Sequence, residues 1–130
     1  MANTSSMPSV PVIRWGIPTE PFWVHATEQV APVAATALVT RTVTTGRSGY
    51  IFGFFISTQE LNNFLINWTS GGVAYSKRII FGGAGSVETI DPIALNDGLL
   101  ADSGTDITIT NVTAAGAGMT YQANLLVAEV

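Results

Sequence analysis

From Thr36 onward, apolar and polar side chains alternate along the chain with a period of two. In residues 37–45, for example, Val39 and Val43 fall on one face while Thr40 and Thr42 fall on the other. Period-two alternation is typical of a β-strand with one buried face. The pattern returns in four later stretches, with glycine-rich turns between them: 64–68, 73–81, 107–110 and 121–127. Short strands at spacings of about 8–14 residues predict an all-β chain, a jelly-roll-like antiparallel β-sandwich of about eight strands.

One segment departs from this alternation, since Tyr50 to Ile56 is continuously apolar apart from Gly53. A strand-length apolar run is typical of a strand that is buried on both faces. It is the longest apolar stretch and is far shorter than the roughly 18 residues of a membrane-spanning helix, so we expect no membrane partner.

The first 36 residues form a separate region because they hold five of the six prolines. Proline fixes φ and lacks an amide donor, which excludes a long helix or a central strand. The region also carries large apolar side chains that favour burial. We predict an extended proline-rich arm over 1–36, lying on its own domain or on a neighbouring subunit, and a β-sandwich domain over 37–130. An N-terminus with one edge strand is the alternative. The expected interface anchors are apolar arm residues: Val12, Trp15, Ile17, Phe22 and Trp23.

Charge is scarce: 47% of the 130 residues are hydrophobic and only 11% are charged, with a net charge of −4. Soluble domains carry about 25% charged residues, so much of this surface is covered by small polar residues instead. Permanent interfaces are likewise apolar and poor in charge. Only Lys77 and Arg78 are adjacent basic residues, which argues against nucleic-acid binding. The first residues lack the basic and apolar regions of a secretory signal, and no cysteine is available for disulfides.

The candidate chemistry is sparse. His25 is the single histidine and has no nucleophile motif near it, so we predict no catalytic residue and no enzyme. Four acids, Asp91, Asp97, Asp102 and Asp106, lie in turn-forming sequences, where aspartate caps the turn through its own side chain. Calcium binding by these loop acids stays an open alternative. We otherwise predict no cofactor and no metal site.

The aromatic side chains admit two interpretations. Trp68 and Tyr75 alternate within predicted strands, which favours a place in the core or in an interface. The alternative is an exposed platform on which a sugar ring stacks, as in sandwich-type lectins.

Several segments resemble small jelly-roll proteins of virus particles, including capsid decoration proteins of tailed phages and archaeal viruses. The segments that carry the resemblance span about 80 residues: Ile51-Phe52-Gly53-Phe54, Asp91 to Gly98, Gly104 to Val112 and Tyr121 to Leu126. The resemblance implies a trimer or filament whose N-terminal arm reaches a neighbour.

These observations together predict a structural, self-assembling protein. The expected role is a virion component, such as a capsid decoration or stabilising protein, assembled in the host cytoplasm. Its expected partners are copies of itself, with a trimer as one arrangement, and a major capsid protein. Two alternatives are a carbohydrate-binding jelly-roll module for host or glycan attachment and a subunit of an extracellular filament.

Overall fold

The computed structural model describes residues 20–90 and 99–130, and these residues form strands, turns and loops without a helix. In this part of the chain there is accordingly no helix that could cross a membrane. The ten strands are β1 (Phe22–Val24), β2 (Gln29–Val30), β3 (Ala37–Thr42), β4 (Gly49–Thr58), β5 (Asn62–Ser70), β6 (Val73–Phe81), β7 (Gly85–Ile90), β8 (Leu100–Ala101), β9 (Asp106–Asn111) and β10 (Thr120–Glu129).

The strands form two antiparallel sheets that pack face to face. The six-stranded sheet has the order β1-β10-β4-β7, with β2 added to β10 and β8 added to β4. The four-stranded sheet has the order β3-β9-β5-β6. The chain passes repeatedly from one sheet to the other, because consecutive strands such as β3 and β4, or β9 and β10, lie in different sheets. The predicted all-β sandwich is confirmed, and this alternation is compatible with jelly-roll connectivity.

The core lies between the sheets and is built from the inward-facing positions of the longest strands. On β5, Phe64, Ile66 and Trp68 face inward at every second position, as the alternation predicts. They meet inward-facing side chains of the other sheet, including Leu125 and the ring of Tyr121. Leu125 and Tyr121 are both fully buried, so the side chains of β5 and β10 pack against each other in one apolar core.

Strand β4 is buried on both faces, as its continuous apolar sequence predicts. Ile51 and Ile56 belong to the main core, whereas Phe52 belongs to a second cluster with Leu126 and Ala128 on the other face of the six-stranded sheet. The pairing with β10 skips Phe52, since Ile51 lies opposite Val127 and the next pair is Gly53 with Leu126. This β-bulge turns Phe52 outward and lets one strand contribute large side chains to both clusters.

One end of the sandwich is held by buried asparagines. The Nδ2 of Asn111 donates to the carbonyl oxygens of Val33 and Thr113, each at 2.9 Å, and its Oδ1 accepts from the amide of Thr36 at 3.0 Å. Asn62 likewise donates to the hydroxyl of Tyr121 at 2.7 Å. These side chains satisfy loop backbone groups that the sheets leave unpaired.

Candidate functional site

The predicted arm anchors fall into two groups. Val12, Trp15 and Ile17 lie outside the described residues. Phe22 and Trp23 lie in β1, which pairs with β10 of the same chain through Phe22 opposite Val127 and Trp23 opposite Leu126. The last part of the predicted arm therefore adds a strand to the chain's own sheet, and its two faces differ. Phe22 points toward the gap between the sheets, whereas Trp23 packs against the outer cluster around Phe52.

Strands β1 and β3 form one side of the sandwich, here called the closed side. A charged contact joins the two sheets there. The guanidinium of Arg41 on β3 lies 5.0 Å from the centre of the Phe22 ring. Its Nε donates to Oε2 of Glu129 at 2.7 Å. The hydrogen bond from Arg41 lowers the pKa of the Glu129 carboxyl, against the opposing effect of burial. Phe22, Arg41 and Glu129 thus bridge the two sheets where β1 and β3 meet.

This contact makes stability depend on pH. We expect Glu129→Gln to lower the free energy of unfolding at pH 7, and this loss should shrink as the pH falls through the folded pKa of Glu129. A carboxyl with a lowered folded pKa stabilises the fold above its unfolded pKa of about 4.3, and that contribution disappears when it protonates. Urea unfolding at pH 7, 5 and 3 measures the effect.

The control is a double-mutant cycle with Arg41→Gln. The coupling between Arg41 and Glu129 should be about 1 kcal/mol at pH 7 and smaller at pH 3. A coupling as large at pH 3 as at pH 7 would contradict an ionic contact whose carboxylate protonates in this range.

The edge strands β6 and β7 form the opposite side of the sandwich, here called the open side. Their side chains are more exposed to solvent than those of the other strands. Among the described residues, β6 pairs with β5 alone, and its first six residues, 73–78, are exposed on both faces. Val73, Tyr75 and Ile80 expose between 47% and 72% of their surface. A nine-residue edge strand with exposed apolar side chains is a ready template for pairing with another chain.

Strand β7 adds a second edge on this side. Within the described residues it pairs with β4 alone, and Val87 is 39% exposed although it lies opposite the core residue Ile56. Glu88 is exposed on the outer face of the same strand. The open side therefore combines apolar inward positions with a basic pair, Lys77 and Arg78, on one edge and a carboxylate on the other.

Trp68 and Tyr75 lie together at this side. Their rings stack with centres 5.7 Å apart and planes 21° apart. Trp68 is buried and Tyr75 is half exposed, which agrees with the expectation of a core or interface position. In the described part of the chain, the buried Nε1 of Trp68 is the side-chain donor without a hydrogen-bond acceptor. An unsatisfied buried donor lowers the stability of the fold by about 1–3 kcal/mol. On the closed side, the described residues leave no buried side-chain donor without an acceptor.

His25 lies on the outer face of the six-stranded sheet. It lines an open cleft of about 270 Å³ together with Trp23, Phe55, Glu88 and Asn124. His25 and the carboxylate of Glu88 line the same cleft. Its described lining residues include no serine, threonine, cysteine or lysine that could act as a nucleophile. The sequence could not reveal this grouping, because its members come from four separate strands or strand ends.

The loop acids do not converge in the described residues. The carboxylate of Asp102 accepts the backbone amides of Gly71 at 2.9 Å and Gly72 at 2.8 Å, and these two bonds lower its pKa. Asp106 accepts from the hydroxyl of Thr42 at 2.6 Å. The Asp102 carboxylate thus holds the turn between β5 and β6, where both glycines have positive φ, rather than the turn in whose sequence it lies. Asp91 and Asp97 lie outside the described residues.

Comparisons of the chain with protein-family models, with curated proteins and with solved structures each found no match. The functional argument therefore depends on the residues and geometry of this chain.

Proposed function

We propose that this protein is a structural subunit that associates with copies of itself through the open side of the sandwich. The observation that carries the proposal is the contrast between the two sides. On the closed side, the ion pair between Arg41 and Glu129 joins the two sheets beside Phe22, which keeps 37% of its surface exposed. On the open side, the first six residues of β6 are exposed on both faces, and Val73 and Ile80 expose 52% and 72% of their surface. Among the described residues, the charged groups of this side are Lys77 and Arg78 on β6 and Glu88 on β7, so the two edges carry opposite charges beside their apolar side chains.

The arrangement of the edges favours a two-fold symmetric pair. The short turn at 82–84 connects β6 to β7, so the two strands run in opposite directions along the same side but in different sheets. A two-fold axis parallel to these strands brings β6 of one copy beside β7 of the other, antiparallel, at two symmetric places. Each sheet of one copy then continues into a sheet of its neighbour.

Charge distinguishes this pairing from the simplest alternative. Pairing β6 with β6 of a second copy places Lys77 and Arg78 near the same residues of the neighbour, which like-charge repulsion opposes. Pairing β6 with β7 instead places Arg78 near Glu88 on the outer face. The same register brings Ile79 beside Val87 at the inward positions and Tyr75 near the end of β7, where their apolar surface is removed from water.

The expected result is a concentration-dependent dimer that Tyr75→Lys or Val87→Lys weakens. Burying an ammonium group without a partner costs more than 1.4 kcal/mol, so each change should raise the dissociation constant at least tenfold. Sedimentation velocity over a range of concentrations measures the association. The matched controls are Val30→Lys and Val33→Lys, which alter valines that are 67% and 70% exposed outside the open side.

A truncated chain that begins at Glu20 separates this interface from the predicted arm. It retains β1, and the proposal expects it to dimerise like the full chain. Loss of association in the truncated chain, with Tyr75→Lys unaffected, would assign assembly to residues 1–19. A monomeric or trimeric wild-type protein, or equal association by all four lysine variants, would contradict the two-fold pairing.

Within this class of structural subunit, we favour a virion component, such as a capsid decoration or stabilising protein that binds a major capsid protein. The resemblance of Gly104 to Val112 and Tyr121 to Leu126 to small virion jelly rolls supports this choice. The two-fold pairing is a closed arrangement, which disfavours the filament alternative because a filament needs an interface that does not close. Electron microscopy of the purified protein should accordingly show discrete particles, and long fibres would contradict it.

A further inference from the structure

The outer face of the six-stranded sheet carries a transverse row of four side chains. The strand register places Asn124 opposite Phe55, and Phe55 opposite Glu88. His25 directly follows β1, whose Val24 lies opposite Leu125, so it continues the row beside Asn124. The row thus crosses the sheet from β1 to β7, and Trp23 flanks it from the next position on the same face.

Asn124, one polar member of this row, is held in place by a hydrogen bond to the chain that follows β1. Oδ1 of Asn124 accepts from the amide of Ala26 at 3.0 Å, and Nε2 of Gln122 donates to the carbonyl oxygen of Ala26 at 3.0 Å. These two bonds fix the backbone next to His25 and orient the Asn124 amide. Within the described residues, Nδ2 of Asn124 is left to donate to a ligand.

We propose that this cleft binds a neutral saccharide ring. Phe55 and Trp23 provide aromatic surface, and the C–H face of a pyranose packs against such rings because their faces are electron-rich. Glu88 accepts hydrogen bonds from sugar hydroxyls, and Asn124 donates to them. The volume of about 270 Å³ lies just below the roughly 300–1,000 Å³ typical of drug-sized ligands, which suits a single ring.

The lining also discriminates between classes of ligand. The Glu88 carboxylate and the net charge of −4 oppose acidic sugars and other anions. An ammonium ligand would suit the carboxylate and the aromatic rings but would leave the Asn124 donor unpaired. A saccharide hydroxyl both donates and accepts, and so satisfies each polar group in the row.

The test is a ¹H–¹⁵N NMR titration with four methyl glycosides, those of glucose, galactose, mannose and N-acetylglucosamine. We expect at least one to produce saturable shifts, in the millimolar range, centred on the amides of His25, Phe55, Glu88 and Asn124. Phe55→Leu removes the aromatic face but keeps an apolar side chain, and should weaken binding at least tenfold. Glu88→Gln alters an exposed side chain and should weaken binding at least threefold.

Val33→Ala is the control, because it truncates an apolar side chain that is 70% exposed and lies outside both the cleft and the open side, and it should leave binding unchanged. The spectra also report whether each variant is folded. No saturable shift with any glycoside, or shifts centred on Tyr75, would overturn the proposal. Tighter binding of tetramethylammonium than of every glycoside would assign the cleft to cationic ligands instead. Glu88 belongs to both the cleft and the open side, whereas Phe55 lines the cleft alone, so the Phe55→Leu result separates failure of this proposal from failure of the dimer.

Discussion

Phe64→Ala is expected to destabilise the protein by about 4 kcal/mol. Phe64 is fully buried at the centre of the four-stranded sheet, and its ring makes edge-to-face contacts with Phe81 and Tyr121, each with centres 5.4 Å apart. Truncation removes the transfer free energy of the ring and leaves a cavity that the rigid strands around it cannot fill. Because domains of this size are stable by about 5–15 kcal/mol, the variant should lose a large part of its stability.

Urea unfolding followed by tryptophan fluorescence measures this loss as a lower midpoint at an unchanged slope. Leu61→Ala is the matched control. Leu61 lies three residues earlier in the chain and is 68% exposed, so its truncation should change stability by no more than about 0.5 kcal/mol. A loss below about 1.5 kcal/mol for Phe64→Ala would contradict the core as described.

Asn111→Ala is expected to cost about 3 kcal/mol, the second largest effect. The side chain is 1% exposed and satisfies the carbonyls of Val33 and Thr113 and the amide of Thr36. Removing it leaves the Thr36 amide without an acceptor, which costs about 1–3 kcal/mol, and the emptied space at this buried site adds to the loss. The two carbonyls keep one donor each, the Thr36 hydroxyl and the Asn62 amide. Equilibrium unfolding gives the total loss, and hydrogen exchange at the Thr36 amide should accelerate.

Asn67→Ala provides the comparison because Asn67 makes a similar number of hydrogen bonds on the outer face of the four-stranded sheet. Its Nδ2 donates to the hydroxyls of Thr108 at 3.1 Å and Thr110 at 3.0 Å, and its Oδ1 accepts from Ser76 at 2.7 Å. Those hydroxyls can turn to water when Asn67 is lost, so the cost should stay below about 1 kcal/mol. Equal losses of unfolding free energy for the two variants would show that burial does not determine how much these hydrogen bonds stabilise the fold.

The two asparagines also show where reasoning from the sequence stops. Alternation places Asn111 at an inward position of its strand and Asn67 at an outward one, but it does not show which groups either side chain will meet. Asn111 is buried because loop 33–36, from a distant part of the chain, folds over the end of β9 and directs its backbone groups at the amide. Which loops cover a residue depends on how distant parts of the chain pack together. The alternation of apolar and polar residues does not predict this.

The open side gives the same lesson for the candidate interface. The alternating sequences of β5 and β6 both predict a strand with one buried face. In the fold, Phe64 and Ile66 on β5 are fully buried, whereas Tyr75 on β6 is half exposed, because β5 lies between β9 and β6 and β6 lies at the edge. The arm sequence left open whether Phe22 and Trp23 would lie on the chain's own domain or on a neighbour, and the described chain pairs their strand with its own β10. The local sequence of β1 does not predict whether it pairs with a sheet edge of its own chain or with that of a neighbour.

The sequence by itself determined most of the secondary structure, since alternation, apolar runs and glycine-rich turns act within a few residues of one another. It also determined that the surface would carry little charge. Only the tertiary structure decided which strands became edges, which asparagines became buried, and that His25, Phe55, Glu88 and Asn124 line one cleft. These outcomes depend on pairing strands that are far apart in the chain, and the free energy of that pairing comes from long-range packing.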